Sequence, residues 1–221
     1  IINGGTFLSA GYTIAGLISG LGSGISVALS LDGGTPVTTT TTDENGAFSF
    51  GSVELNGGEY LLIYANNGSY KANLVGIVQE AGDISGLELS DGRFSIGDAD
   101  GVVGTTFTNA DLGAAYYNNS NVYYSVTGND VTFGEINYAH VPAGITYAPG
   151  GTVNGDNWLF NESTLSSGVF NIILSNSGTI SGGTFNHLVH NSEFSPGTIS
   201  DGEFNAEVWS YSGSSITGGT F

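Results

Sequence analysis

Large apolar residues and aromatics return along the last quarter of the chain at one fixed separation. Leu165-SSGV-Phe170, Ile180-SGGT-Phe185, Ile199-SDGE-Phe204 and Ile216-TGGT-Phe221 each set an aliphatic residue five positions before an aromatic, with Gly two before the aromatic. The same phrase opens the chain as Ile2-NGGT-Phe7 and recurs as Leu89-SDGR-Phe94. It returns more loosely as Val153-NGDN-Trp158, where Asp156 takes the glycine position. Fixed spacing within a phrase and variable spacing between phrases is the imprint of a coil of stacked strands, whose frame repeats while its outer loops vary. In a straight strand residues five apart face opposite sides, so burying both members of the pair demands a bend. Glycine provides it, because without a Cβ it takes φ > 0 freely.

Downstream of the aromatics, Phe170-NII-Leu174, Phe185-NHL-Val189 and Phe204-NAE-Val208 end on apolar residues at the same offset. Asn161, Asn171, Asn186 and Asn205 each follow a Phe. In stacked rungs these amides would bond to one another as a ladder; asparagine as a turn marker is the other reading.

Between about Ala10 and Gln79 the pattern changes to short runs separated by turns. Ile14 to Ile18, Ile25 to Leu31, Val37 to Thr42, Ala47 to Phe50 and Tyr60 to Tyr64 read as strands. Asp43-Glu44-Asn45-Gly46 reads as a hairpin turn between β-formers. Amphipathic helical periodicity is hard to find anywhere, so almost no helix is expected.

The stretches Thr38-TTTTDENGAFS-Phe50 and Leu55-NGGEYLLI-Tyr64 resemble the carboxypeptidase-regulatory-like and Cna-B-like domains, whose pattern is a threonine strand, D-x-N-G, F-x-F, then G-x-Y. The resemblance covers residues 10 to 79 and implies an immunoglobulin-like β-sandwich of the prealbumin type, with a stalk or spacer role in secreted surface proteins. Some Cna-B domains carry a Lys–Asn isopeptide bond whose lysine lies in the first strand. Lys71 falls near the end of this segment, so no such cross-link is expected. The glycine-rich phrases in turn resemble the β-helical stalks of large bacterial adhesins and other surface filaments. The expected fold is therefore all-β: a solenoid-type strand over 1 to 9, a sandwich over 10 to 79 and a Gly-rich parallel β-solenoid over 80 to 221.

Composition narrows the function. Gly is 37 of 221 residues against an average near 7 %, while Pro is only 4 and aromatics reach 11 %, which marks a turn-rich β protein and not a disordered chain. Cysteine is absent, so disulfide and thiolate chemistry are excluded. Lys71 and Arg93 are the only cations against 20 acidic residues, giving a net charge of −18. Nucleic acid and anionic membrane surfaces are poor partners for such a chain, and calcium is the expected cation. No signal peptide, anchor motif or long apolar run is present, which fits a mature or excised segment with no membrane span.

Asp98-ADG and Asp43-ENG each place oxygen side chains two apart before a glycine, as calcium loops do, without the distal Glu of an EF-hand. Turn chemistry is the simpler reading; Asp98 and Asp100, with Asp91 nearby, are the better calcium candidates. His187 and His190 form an HxxH, but strand alternation puts them on different faces and argues against a shared metal. His140 has no partner in the sequence. The tyrosine-rich stretch from Asp111 to Gly151 offers Tyr116, Tyr117, Tyr123 and Tyr124 as candidates to stack on sugar rings, with core packing as the commoner fate. Three N-x-S sequons, at Asn67, Asn118 and Asn161, are what chance produces in a chain this rich in Asn and Ser.

An enzyme is not expected. β-Helical lyases generally use Lys or Arg as base, and both cations lie before residue 111; the carboxylates Asp111, Asp130, Asp156, Glu162, Asp201 and Glu207 are dispersed and not paired. The expected function is a structural segment of an extracellular or cell-surface filament. A carbohydrate- or receptor-binding module is the alternative, and a polysaccharide-degrading β-helix comes third. Partners are copies of the chain or adjacent repeats, and surface glycans. Because the same phrase stands at both ends, end-to-end polymerisation through Ile2, Phe7, Ile216 and Phe221 is expected, with continuity of one longer polypeptide as the plain alternative.

Overall fold

The computed structural model describes residues 11–97, 105–192 and 195–221. The first seven strands are β1 (Tyr12–Ser19), β2 (Ser26–Leu31), β3 (Thr38–Thr41), β4 (Ala47–Val53), β5 (Tyr60–Ala65), β6 (Asn73–Ile77) and β7 (Ile84–Ser90). β1 lies between β4, antiparallel, and β7, parallel. β2 lies between β3 and β5, and β5 carries β6, all antiparallel. Residues of both sheets share one core, in which Ile14, Ile18, Phe48 and Phe50 meet Val27, Leu29, Leu61 and Ile63. In β4, Phe48 and Phe50 are buried while Ser49 is exposed, as one covered face requires.

The runs in β2, β5 and β6 are apolar almost without alternation, and their central residues are all buried. Such strands are covered on both sides. Val27, Leu29, Leu61 and Ile63 face the first core, whereas Ala28, Leu62, Tyr64 and Val75 belong to a second.

Two local readings change. Asp43-ENG is a turn: Asp43 Oδ1 accepts from the N–H of Asn45 at 2.8 Å and of Ala47 at 2.9 Å, and Gly46 has φ 82°. It does not close a hairpin, because β3 pairs with β2 and β4 with β1, so it carries the chain from one sheet to the other. Leu89-SDGR-Phe94 is no rung: β7 lies beyond the 10 to 79 segment yet pairs with β1, Leu89 beside Ile18 in the first core, while Phe94 enters the second.

The second core fills a β-solenoid of about seven turns, whose rungs pair in parallel while one strand, Tyr124–Thr127, runs antiparallel to its neighbour Asp130–Phe133. Its elements are β8 (Arg93–Ile96), β9 (Thr106–Phe107), α1 (Asn109–Ala115), β10 (Tyr124–Thr127), β11 (Asp130–Phe133), β12 (Tyr138–Val141), β13 (Thr146–Tyr147), β14 (Thr152–Asn161), β15 (Thr164–Leu165), β16 (Val169–Asn176), β17 (Thr179–Phe185), β18 (Val189–Asn191), β19 (Thr198–Phe204), β20 (Val208–Ser210) and β21 (Ser215–Ile216). One face stacks β6, β8, β12, the ends of β14 and β16, β18 and β20. A second stacks β9, β13, β15, the starts of β17 and β19, and β21. A third stacks β11, the starts of β14 and β16, and the ends of β17 and β19, with Thr220 bridging to Glu203.

The glycine before each aromatic turns the corner between the second and third faces. Gly168, Gly183, Gly202 and Gly219 have φ of 97°, 109°, 133° and 110°, values that other residues reach only with strain. Where a second glycine precedes it, the rung below is close: a Cβ at Gly218 would lie 2.1 Å from the Ser200 carbonyl oxygen. Ile180 and Phe185 are thereby both buried across a bend.

Like residues fall into axial columns. Phe107, Tyr147, Leu165, Ile180, Ile199 and Ile216 are in register on the second face, beside Thr106, Thr146, Thr164, Thr179, Thr198 and Ser215. On the third face Phe170, Phe185, Phe204 and Phe221 stack with ring centroids 4.8, 4.9 and 4.9 Å apart and planes within 10°. The column begins at Val131 and Val153. Val153-NGDN-Trp158 is therefore out of phase: its Val takes the Phe column, and Trp158 pairs with Ile173 on another face.

Asparagine forms two ladders. Asn171, Asn186 and Asn205 each donate at 2.9 Å to the amide oxygen one rung back, beginning at Asn154, on the outer surface. Asn161 belongs to a different, buried ladder, donating to Asn176 at 2.7 Å, which donates to Asn191 at 2.9 Å.

One end of the solenoid is closed. α1 starts with a capping box between Thr108 and Asp111 and buries Asn109, Leu112 and Ala115, and the outer face of β2, β5 and β6 completes the lid. Asn109 accepts from the Tyr147 hydroxyl at 2.6 Å and donates to the carbonyls of Asn129 and Thr152. At the other end the last rung leaves Ile216 42 % and Phe221 65 % exposed.

Candidate functional site

Of the tyrosines singled out in the sequence, Tyr124 lies in the core and Tyr116, Tyr117 and Tyr123 are partly exposed. Tyr124 is buried, its hydroxyl donates to the Leu112 carbonyl at 3.0 Å, and burial raises its pKa well above the tyrosine range, so it is a core residue and not a ligand contact. Tyr116 packs edge-on against it at 5.3 Å, and Tyr117 is half-buried against the same core. The ring of Tyr123 is covered by Lys71, whose Nζ lies 5.6 Å from its centroid and 2.9 Å from Glu135. That hydrogen bond, with the lysine charge, lowers the Glu135 pKa. Local alternation explains the outcome: Tyr124 starts β10, whose partner β11 faces the solenoid core.

Of the calcium candidates, Asp91 is exposed and accepts from the Lys71 backbone N–H at 2.7 Å; Asp98 and Asp100 lie outside the described residues. Among the described residues no group of three or more His, Asp or Glu converges as a metal site. Of the HxxH pair, His187 is exposed and His190 packs between aromatic rings. Of the assembly residues, Ile216 and Phe221 stand on the last rung, and Ile2 and Phe7 lie outside the described residues. No helix among those described is long and apolar enough to cross a membrane.

An aromatic surface does exist, on the first face of the solenoid. Strand alternation turns Ala139, Leu159, Leu174 and Val189 inward and their neighbours outward. The outward residues include Tyr138, Trp158, Phe160, His190 and Trp209, and Tyr211 follows β20. Their rings touch in sequence across the rungs: Tyr138 to Phe160 at 5.0 Å, Phe160 to Trp158 at 6.1 Å, Trp158 to His190 at 5.1 Å and His190 to Trp209 at 4.9 Å. Tyr211 stacks on His190 at 6.0 Å, and its hydroxyl lies 3.2 Å from His190 Nδ1. The Trp209 indole N–H donates to Glu207 at 2.9 Å, and Glu162 lies 3.2 Å from His140 in the same row. Phe160 at 38 % and Trp209 at 48 % are among the exposed large hydrophobic residues.

The signal for this stripe was present in the sequence. Trp158-LFN and Val208-WSY alternate with inward Leu159 and Val208, so parity alone sends Trp158, Phe160 and Trp209 outward. It was masked because Trp158 also fits the aromatic position of the repeated phrase.

No family model matches the chain, and no curated protein or solved structure matches it. Fold geometry and surface chemistry therefore carry the functional reading.

Proposed function

We propose that the chain is a structural segment of an extracellular, adhesin-like or matrix-forming surface filament, with the solenoid as its rod and the first unit an immunoglobulin-like sandwich of the prealbumin type. The observation that supports this best is the axial stacking of like side chains, Thr on Thr, Phe on Phe and Asn on Asn, through successive rungs. A solenoid held by nearest-neighbour contacts is stiff along its axis and needs no ligand. The two sheets around one core and the Asp43-ENG turn support the sandwich. The −18 charge supports an extended surface protein kept soluble by self-repulsion, with calcium as the cation it recruits. The last rung, with Ile216 and Phe221 uncovered, is suited to a further rung from the same polypeptide or from another copy.

Immunogold labelling with an antibody against the purified chain tests the reading. Label on extracellular or surface appendages of the producing cells is the expected result, and label confined to the cell interior overturns it. Light scattering tests polymerisation: growth with concentration that Phe221→Asp abolishes is expected, and a monomer at every concentration removes self-assembly through this end. A carbohydrate- or receptor-binding module is a second reading, favoured by the aromatic stripe.

A further inference from the structure

We propose that the stripe Tyr138, Phe160, Trp158, His190, Trp209 and Tyr211 is a binding site for an extended, uncharged polysaccharide laid along the solenoid axis. The proposal rests on the second reading above, the carbohydrate-binding one, and stands apart from the rod reading, since it concerns one outer face and not the stacking that builds the fold.

Four observations carry it. First, the rings form an unbroken series of contacts from Tyr138 through Phe160, Trp158 and His190 to Trp209 and Tyr211, and Phe160, His190 and Trp209 share one register column in which the rung between Phe160 and His190 contributes Ser175. Phe160 and Trp209 are exposed and the rings that link them are partly exposed, and clustered apolar surface of this kind marks a site of interaction. Second, the column is linear and periodic. Rungs repeat at the 4.8 to 4.9 Å separation of the stacked phenylalanines, close to the advance per ring of an extended glycan, so successive sugars meet successive rungs, with a ring from each except the one that presents Ser175. Aromatic rings suit the apolar faces of pyranoses, while their polar edges and neighbours take the hydroxyls.

Third, polar groups are interleaved with the rings. Ser175 lies between Phe160 and His190, the Tyr211 hydroxyl lies beside His190, and the Glu207 carboxylate fixes the Trp209 indole at 2.9 Å. An exposed tryptophan held by its N–H is pre-organised, which lowers the entropy lost on binding. Fourth, charge selects the ligand. Glu162 and Glu207 flank the rings, both exposed. The nearest cation in the strand register, Arg93, sits at the Tyr138 end and spends its guanidinium on the Glu88 carbonyl. A sulfated or uronic-acid chain would meet carboxylates on a molecule of charge −18, whereas sugar hydroxyls donate to them. The same charges disfavour a second copy on this face, because two stripes brought together would appose their glutamates.

Affinity electrophoresis of the whole chain tests the proposal in native gels containing hydroxyethyl cellulose, mixed-linkage β-glucan, galactomannan or heparin. Retardation by at least one uncharged polymer and none by heparin is expected. Trp209→Ala and Phe160→Ala should each weaken it about tenfold, as removal of an aromatic anchor does. Both side chains point outward, so circular dichroism and melting of the variants should match the parent; Trp209→Phe, which keeps a ring, should retain most of the binding if a variant proves less stable. Absence of retardation in every uncharged gel, retardation by heparin alone, or binding undiminished in both alanine variants overturns the proposal. A dimer in sedimentation velocity that Trp209→Ala dissolves, without glycan binding, assigns the face to a second copy and overturns it equally. Intracellular immunogold label would sink the filament reading and leave these gels unaffected.

Discussion

The two cores of this molecule solve one problem by different means. In the first, Ile14, Phe48, Phe50, Leu29 and Leu87 come from strands that pair antiparallel, parallel and across sheets, and each apolar residue has its own set of neighbours. In the solenoid the neighbours are near-copies: Phe170 meets Phe185, which meets Phe204. A heterogeneous core spreads the effect of one lost side chain through an interlocked whole, while a stacked core passes it chiefly to the rungs above and below. Polar groups differ too. Among the described residues the first core holds no fully buried tyrosine, whereas Tyr64, Tyr124 and Tyr147 all lie in the solenoid core.

Alkali should separate the two cores most sharply. Burial raises the pKa of Tyr124 and Tyr147 far above the ordinary value, burial also raises Tyr64, and a hydrogen bond to Asp111 followed by burial raises Tyr60. With the folded pKa above the unfolded value of about 10, the stabilisation is whole below that pH and is lost as pH rises past it. Each fully buried tyrosine gives about 1.4 kcal/mol per pH unit in this window, so Tyr124 and Tyr147 together remove about 3 kcal/mol per unit. Amide hydrogen exchange corrected for pH should show residues 105 to 221 opening before the first unit. Simultaneous opening of both would erase the distinction.

Phe185→Ala comes next, at about 3–5 kcal/mol for a fully buried ring. Phe50→Ala should have a similar effect on urea unfolding, but the two should differ in reach. Loss of exchange protection is expected near Leu165 to Phe204 for the first and across both sheets of the first core for the second. A uniform loss after Phe185→Ala would show that the solenoid is not locally coupled.

The smallest contrast lies between the asparagine ladders. Asn176→Ala leaves the Asn161 amide and the Asn191 oxygen without their partners in a buried column, at about 1–3 kcal/mol for each stranded group. Asn186→Ala breaks two bonds of the exposed ladder, where water replaces the partner, and should lose less than about 1 kcal/mol. Equal losses in denaturant titration would mean that depth does not set the strength of these ladders.

Much of the solenoid was legible in the chain. The Ile-to-Phe spacing and its glycine encode the corner, and Gly183 and Gly202 adopt the positive φ that this demands. The coincidence of Leu174, Val189 and Val208 encodes the register of the first face. The continuous runs of β5 and β6 encode burial on both sides. The short helix α1 was less legible, since seven residues show little periodicity; the capping pair Thr108 and Asp111 is its one clear mark.

Tertiary structure decided what spacing leaves open. Phe160-Asn161 and Phe170-Asn171 are the same dipeptide, yet Phe170 points inward and Asn171 outward, while Phe160 is exposed and Asn161 buried. Side-chain parity in a strand has period two, so where β14 turns its corner, between Asn154 and Trp158, fixes which of each pair enters the core. That placement makes Trp158 and Phe160 part of a surface stripe and puts Asn161 in a buried ladder. Partner choice was likewise set at a distance: β7 joins β1 across more than sixty residues, a pairing favoured by the first core it closes. Local pattern determines which residues seek burial; only the assembled rungs and sheets determine which side of each strand is inside.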